Sequence, residues 1–279
     1  MPCGTGDSWL RTPDMFSRIA VDFHLHFYRD YDPEIFWQAL CRNLAGDAIA
    51  RLDDRIPLQR LALLTEAPGC DWFRRWAAPG AALPGGYSFA ATSEPYSLAL
   101  SANREILALI VRGRQIITAE RLEVLTAGDF PAVEDGLPLA RVLEALAAAG
   151  ALAIIPWGAG KWLGGRGRLL RRLASTPAPP RVFLADNPAR PCFWPAPRAF
   201  RMMERQGRPV LRGSDPLPLP GEERRAGSFA SRFEAEFDPL RPLASLLKLL
   251  DGNALIRDLG RPDGVFTFFS RQIGLRLRT

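Results

Sequence analysis

Val21-Asp-Phe-His-Leu-His26 contains both histidines of the chain, two residues apart, and its reading decides the fold. The segment closes an apolar run, Ile19-Ala-Val21, so residues 18–24 are read as a β-strand. Residues two apart on a strand point to the same face. Two imidazoles on one face at the C-terminal end of a strand can hold one divalent cation through neutral nitrogens. In barrels of repeated strand–helix units that end carries the active site. The alternative is a pair of hydrogen-bonded histidines at the edge of a core.

Working outward, short apolar runs alternate with amphipathic stretches, the pattern of repeated β-α units. A helix is expected from Asp32 as N-cap and Pro33 at its first position, with Gly46 near its end. A strand over 61–65 and a short helix capped by Asp71 follow, then a Pro/Gly/Ala loop over 79–86. Strands over 106–110 and 116–117 are read as meeting at Arg112-Gly113-Arg114, with 122–125 continuing the sheet. A helix over 138–149 closes at Gly150 and delivers a strand over 152–155. Beyond these lie a basic helix over 166–174, a strand over 182–184, a helix over 198–206 and a strand over 210–211. A C-terminal helix over 240–250 and a last apolar strand over 265–269 complete the reading. The expectation is one α/β domain over 1–279, a closed or nearly closed barrel, with an open doubly wound sheet as the second choice.

Composition narrows the function. Hydrophobic residues make up 47% and charged residues 24% of 279, the balance of a globular protein and not of a disordered tail. The longest uncharged run, 145–160, is interrupted by Gly150 and Pro156 and falls short of the roughly 20 apolar residues of a membrane helix. No basic segment followed by an apolar one opens the chain, so a cytoplasmic protein with no membrane partner is expected. The four cysteines, at 3, 41, 70 and 192, show neither metal-ligand spacing nor a disulfide framework. The net charge of +6 raises nucleic acid as a partner. Only Lys161 and Lys248 are lysines, however, and an arginine-, alanine- and proline-rich composition follows from GC-rich coding without selection for a basic patch. Nucleic acid is therefore the weakest partner reading.

The motifs resemble those of the PHP (polymerase and histidinol phosphatase) superfamily of metal-dependent phosphoesterases. Val21-Asp-Phe-His-Leu-His26 is similar to its opening motif, although amidohydrolases begin their barrels in a similar way. Leu61-Ala-Leu-Leu-Thr-Glu-Ala67 resembles a second strand that usually ends Thr-Asp-His. Val111-Arg-Gly-Arg-Gln-Ile-Ile-Thr118, followed by Leu122-Glu-Val-Leu125, resembles a segment usually reading Gly-x-Glu-Ile and then His-(apolar)-Leu. Gly213-Ser-Asp-Pro-Leu217 resembles the late Gly-Ser-Asp-x-His. The resemblance runs in order over 19–217 and implies a distorted (β/α)7 TIM-like barrel of the PHP type.

It also implies an eroded metal site. His24, His26 and Asp215 keep ligating side chains. Glu66-Ala67 stands for Asp-His, Gln115 for a bridging glutamate, Glu123 for a histidine and Leu217 for the last histidine. Ile154-Ile-Pro-Trp157 falls where the family often has His-Pro. A three-metal site is excluded. One zinc, manganese or iron on His24, His26 and Asp215, with Gln115 or Glu123 as a fourth ligand, remains feasible. The other reading is an empty site held by hydrogen bonds.

Gly158-Ala-Gly-Lys161 is not a P-loop, because position 155 is isoleucine and Trp162 replaces Ser or Thr. Backbone amides there can cradle an anion, and Lys161 lies near the lost His-Pro position, where its ammonium can stand in for metal charge; otherwise it lies at the barrel rim. Asp186 and Asn187 follow a strand and can orient a ligand that Arg190 grips, or form a turn before Pro188. Trp157, Trp162 and Trp194 can line a pocket for a ring or sugar, or pack in a core. The first functional expectation is a metal-dependent hydrolase of a phosphate ester or related small anion, with Glu66 or Glu123 as base and Lys161 stabilising developing charge. The second is an inactive PHP relative that binds a ligand or partner.

Overall fold

The computed structural model describes residues 15–49, 56–81, 83–176, 180–252 and 255–278. Strand β1 (Met15–Leu25) leads into helix α1 (Pro33–Ile49), which starts as expected: Pro33 occupies the first turn and Asp32 Oδ1 accepts from the Ile35 amide at 3.0 Å. Gly46, at φ +59°, breaks its helical geometry. Strand β2 (Leu58–Glu66), helix α2 (Trp72–Ala77), the hairpin β3 (Tyr87–Ala91) and β4 (Ser97–Ala102), and strands β5 (Glu105–Ile117) and β6 (Glu123–Ala127) follow. Next come α3 (Leu139–Ala148), β7 (Ala153–Pro156), α4 (Gly164–Ser175), β8 (Val182–Asp186), α5 (Arg198–Glu204) and β9 (Leu211–Arg212). The chain continues through β10 (Ala230–Phe237), α6 (Pro242–Asp251), β11 (Arg257–Leu259) and α7 (Val265–Arg278).

The strands form one sheet in the order β11-β10-β1-β2-β5-β6-β7-β8-β9, with β4 and β3 branching from β5. It curls until its ends almost meet. Just beyond β9 the Asp215 amide donates to the His24 carbonyl at 2.8 Å, and a Cβ on Gly213 would lie 2.3 Å from the His24 Cβ. Glycine is what lets the two backbones approach this closely. The barrel-like α/β architecture is therefore present. Its strands do not all run parallel: β6 opposes β5 and β7, and β10 opposes β1.

Inward-facing residues fill the barrel, among them Ile19, Val21, Phe23, Leu61, Leu63, Leu109, Val111, Leu125, Ile154 and Phe183. Each large apolar side chain so buried stabilises by about 1.5–3 kcal/mol. Two outer layers cover the sheet. One joins α1 and α2 through Phe27, Phe36, Trp37 and Trp76. The other seats α3, α4 and α5 on Val124, Ile155 and Leu184. No helix among the described residues is long and apolar enough to cross a membrane.

Three expectations need correction. The strands expected over 106–110 and 116–117 are one strand, β5. Its Arg112-Gly113-Arg114 is not a turn, because Gly113 lets the carbonyls of Leu64 and Thr126 press in where a side chain would stand. The C-terminal strand expected over 265–269 is the start of helix α7, whose Phe268 amide donates to the Gly264 carbonyl and whose Arg271 is buried among carboxylates. Asp71 precedes α2 without capping it. Its carboxylate pairs with Arg74 and Arg75, while Glu66 Oε1 accepts from the Phe73 amide at 3.2 Å. Strand β10 and the β3–β4 hairpin were not among the expected elements.

Candidate metal centre

A bulge in β1 aims the histidines. Asp22 pairs with Ala62 and Leu25 with Leu64, so β1 spends three residues where β2 spends two. Before the bulge Ile19, Val21 and Phe23 face the barrel interior and Ala20 faces out; after it Leu25 faces out. His24 and His26 are thereby turned inward at the end of the strand. Without the extra residue, strand alternation would send both to the outer layer.

His24 Nε2 and His26 Nε2 lie 2.8 Å apart, and Asp215 Oδ1 lies 3.6 Å from the first and 3.8 Å from the second. Both rings are buried, whereas the Asp215 side chain keeps 17% of its surface exposed and marks the open side. Asp215 has φ +44°, a left-handed conformation that a non-glycine residue holds only under constraint. Three bonds supply it: the amide donates to His24, Asn187 Nδ2 donates to Oδ2 at 2.9 Å, and Arg271 Nη2 donates to the backbone oxygen at 3.0 Å. Asn187 also donates to the Trp157 carbonyl at 2.8 Å, tying the ends of β7, β8 and β9 together.

Asp22 fastens the same seam from the outer side of β1. Its carboxylate accepts from the backbone amides of His24 (3.0 Å), Ser214 (2.9 Å) and Gly227 (3.1 Å) and from the Ser214 hydroxyl. Burial raises its pKa to about 6, and the Ser214 hydroxyl bond works against that rise. Burial, with His24 as a smaller cause, lowers the pKa of His26 to about 3. His26 is thus neutral at physiological pH, the form that ligates metal. The Asp215 carboxyl is held below its ordinary range although burial opposes this, because His24, His26 and Arg271 surround it.

These donors fit one metal ion. Ligands about 2.0–2.1 Å from a tetrahedral ion stand roughly 3.3 Å from one another, and the three separations here bracket that value. Among the described residues, His24 Nδ1 and Asn187 Oδ1 are buried without hydrogen-bond partners. Among the described residues this is the one cluster of at least three His, Cys, Asp or Glu side chains with metal-ligand spacing.

Lys161 and Glu123 form an ion pair at the rim, and the Lys161 ammonium acts electrostatically on both His26 and Asp215. Gln115 stands opposite Leu125 on the inward-facing side of β5. The remaining candidates lie elsewhere. Glu66 shares the outward parity of Ala62 and Leu64 and serves α2. Arg190 grips Asp186 with three bonds of 2.6–3.0 Å on the outer side of β8 and also binds the Trp194 carbonyl. Trp157 is buried in the outer layer and reaches the centre through its carbonyl. Arg271, absent from the sequence reading, is held by Glu222 and Asp263; nothing local in its sequence marks that role.

No protein-family model and no curated protein matches the chain. Among the solved structures similar to it are PsfC and Endonuclease Q. PsfC from Pseudomonas syringae PB-5123 is 18% identical over 78% of this chain and 82% of that one, with a TM-score of 0.46. Endonuclease Q, solved with a 27-mer duplex substrate carrying an abasic lesion at the active site, is 12% identical over 87% of this chain, with a TM-score of 0.44. The match spans 58% of the Endonuclease Q chain. At these levels neither likeness assigns a family or an activity.

Proposed function

We propose that the chain is a metal-dependent hydrolase of the PHP type that acts on a phosphate ester or related small anion. The proposed centre takes one zinc, manganese or iron on His24, His26 and Asp215, with Gln115 as the candidate fourth donor. The observation that carries this reading is the convergence of His24 Nε2, His26 Nε2 and Asp215 Oδ1 at metal-ligand separations. A divalent ion held there supplies Lewis-acid polarisation and a more acidic water.

The chain's own groups supply the rest. Neutral His26 and anionic Asp215 keep their ligating forms without a proton to lose. Asn187 fixes the Asp215 carboxylate plane, and Arg271 fixes its backbone. The Lys161 ammonium, half-exposed and held by Glu123, is the cation proposed to stabilise charge that develops on a substrate oxygen. Glu123 is the base we propose, since Glu66 is committed to α2.

One observation favours the second reading, a non-catalytic relative that binds a ligand. Glu123 is already paired with Lys161, and no other side chain from the sequence reading stands free as a base. Hydrolysis of para-nitrophenyl phosphate separates the two readings, measured after loading with zinc, manganese or iron. The hydrolase reading expects turnover that His24→Ala abolishes. Stoichiometric metal uptake without turnover of this or other phosphomonoesters and diesters contradicts it and supports the binding role.

A further inference from the structure

A cavity of about 160 Å3 lies outside the barrel, where the end of β7 meets α4 and the start of α5. Trp157, Trp162 and Trp194 line it, and each is anchored from behind. Trp162 Nε1 donates to the Pro156 carbonyl at 3.0 Å, and its ring meets Phe200 edge-on at 5.3 Å. Trp157 and Trp194 meet edge-on at 6.1 Å, and the Trp194 carbonyl is held by Arg190. Gly167 lets α4 close against this wall: a Cβ there would lie 2.2 Å from the Trp162 carbonyl oxygen. The volume is that of an apolar cavity accepting one benzene-sized ring, about 150 Å3.

The rim is cationic and lacks a counter-charge. Arg171 from α4 and Arg198 from the first turn of α5 both line the cavity and are exposed. Neither guanidinium has an ion-pair or hydrogen-bond partner among the described residues. Arg190, Arg181 and Arg271 are paired with the carboxylates of Asp186, Asp251 and Asp263; what distinguishes Arg171 and Arg198 is that both line one cavity whose lining holds no carboxylate. Two unpaired guanidiniums on neighbouring helices attract an anion, and their planar forks suit phosphonate, phosphate or carboxylate oxygens. Trp157 and Trp162 are buried and Trp194 is half-buried, so the indoles give the cavity an apolar aromatic wall that suits a ring.

We propose that this cavity binds a single-ring aromatic anion, with its ring against Trp157 and Trp194 and its charged group between Arg171 and Arg198. The assignment rests on the cavity's own residues and stands whether or not the neighbouring centre takes a metal.

Titration calorimetry of metal-free protein with phenylphosphonate and methylphosphonate tests it. Phenylphosphonate is expected to bind with one equivalent and at least about tenfold more tightly than methylphosphonate. Arg171→Ala and Arg198→Ala each weaken it about tenfold, the scale of a lost charge-assisted bond. Both side chains are exposed, so folding is preserved, and Trp194→Phe retains a ring face and keeps binding. His24→Ala leaves the affinity unchanged. Equal affinities for the two phosphonates, or indifference to both arginine variants, overturn the proposal. So does loss of binding in His24→Ala alone, which would move the ligand to the metal centre.

Discussion

His24 and Asp215 are joined twice, once through backbone and once through side chains. The Asp215 amide donates to the His24 carbonyl at 2.8 Å, and Asp215 Oδ1 approaches His24 Nε2 to 3.6 Å. The contact that nearly closes the barrel is thus the contact that assembles the candidate centre. Changes that open this seam are expected to remove metal binding and stability together.

Gly213→Ala tests that coupling without replacing a ligand. Its new methyl would stand 2.3 Å from the His24 Cβ and 2.5 Å from the His24 amide nitrogen, and the backbone there cannot yield cheaply. A loss of about 1–3 kcal/mol, the usual cost of overpacking, is expected in urea denaturation, with weaker metal uptake. Wild-type stability and metal content in this variant would mean that the seam tolerates separation.

Asp22→Ala removes the acceptor shared by the amides of His24, Ser214 and Gly227. Each buried donor left unpaired costs about 1–3 kcal/mol. The variant is therefore expected to lose several kcal/mol, or to fail to fold. Asp22→Asn, which keeps an acceptor oxygen, is expected to lose less. Equal losses in the two would contradict the acceptor role.

Arg271→Met removes the guanidinium that bonds both Glu222 and Asp263 and leaves them only the more exposed Arg225, which lies 3.7 Å from Glu222 and pairs with Asp263. Breaking one side of a buried ion pair costs about 3–5 kcal/mol. It also frees the Asp215 backbone oxygen from its donor, so the drop in thermal stability should come with weaker metal retention. Unchanged metal affinity in folded Arg271→Met would show that α7 only covers the centre.

Glu66 predicts a pH effect of known sign. Burial raises its pKa above the ordinary 4.5, so its ionised form is disfavoured in the folded state. The stability it contributes is complete below the unfolded value and is lost as pH rises through the folded one. Glu66→Gln keeps an acceptor for Phe73 and removes this dependence. The variant's stability relative to wild type should therefore climb with pH above about 4.5 and then level off. A flat difference across that window would contradict the assignment.

Local chemistry made much of this legible. Asp32-Pro33 placed the start of α1, Gly150 the end of α3, and the His-x-His spacing two members of the candidate metal cluster. Facing was harder to read. Glu66 stands beside Thr65 in a motif that suggests a ligand, yet strand alternation turns it outward, while the bulge in β1 turns His24 and His26 inward. A bulge depends on the pairing partner, which no local window shows. Long-range closure hid the rest. Arg271 reads as one basic residue in an amphipathic run until α7 folds back and lays it between Glu222, Asp263 and Asp215. Phe229 just before β10, and Phe233 and Phe237 within it, recur every four residues, a spacing as compatible with helix as with strand.

The most direct test of the metal centre is stoichiometry. Metal-free protein should be titrated with cobalt(II) and followed by its visible absorption, beside His24→Ala and Asp215→Ala. One equivalent with the intense bands of four-coordinate cobalt, absent from both variants, is the predicted result. No saturable binding in the wild type, or binding that survives in both variants, would contradict the centre on His24, His26 and Asp215.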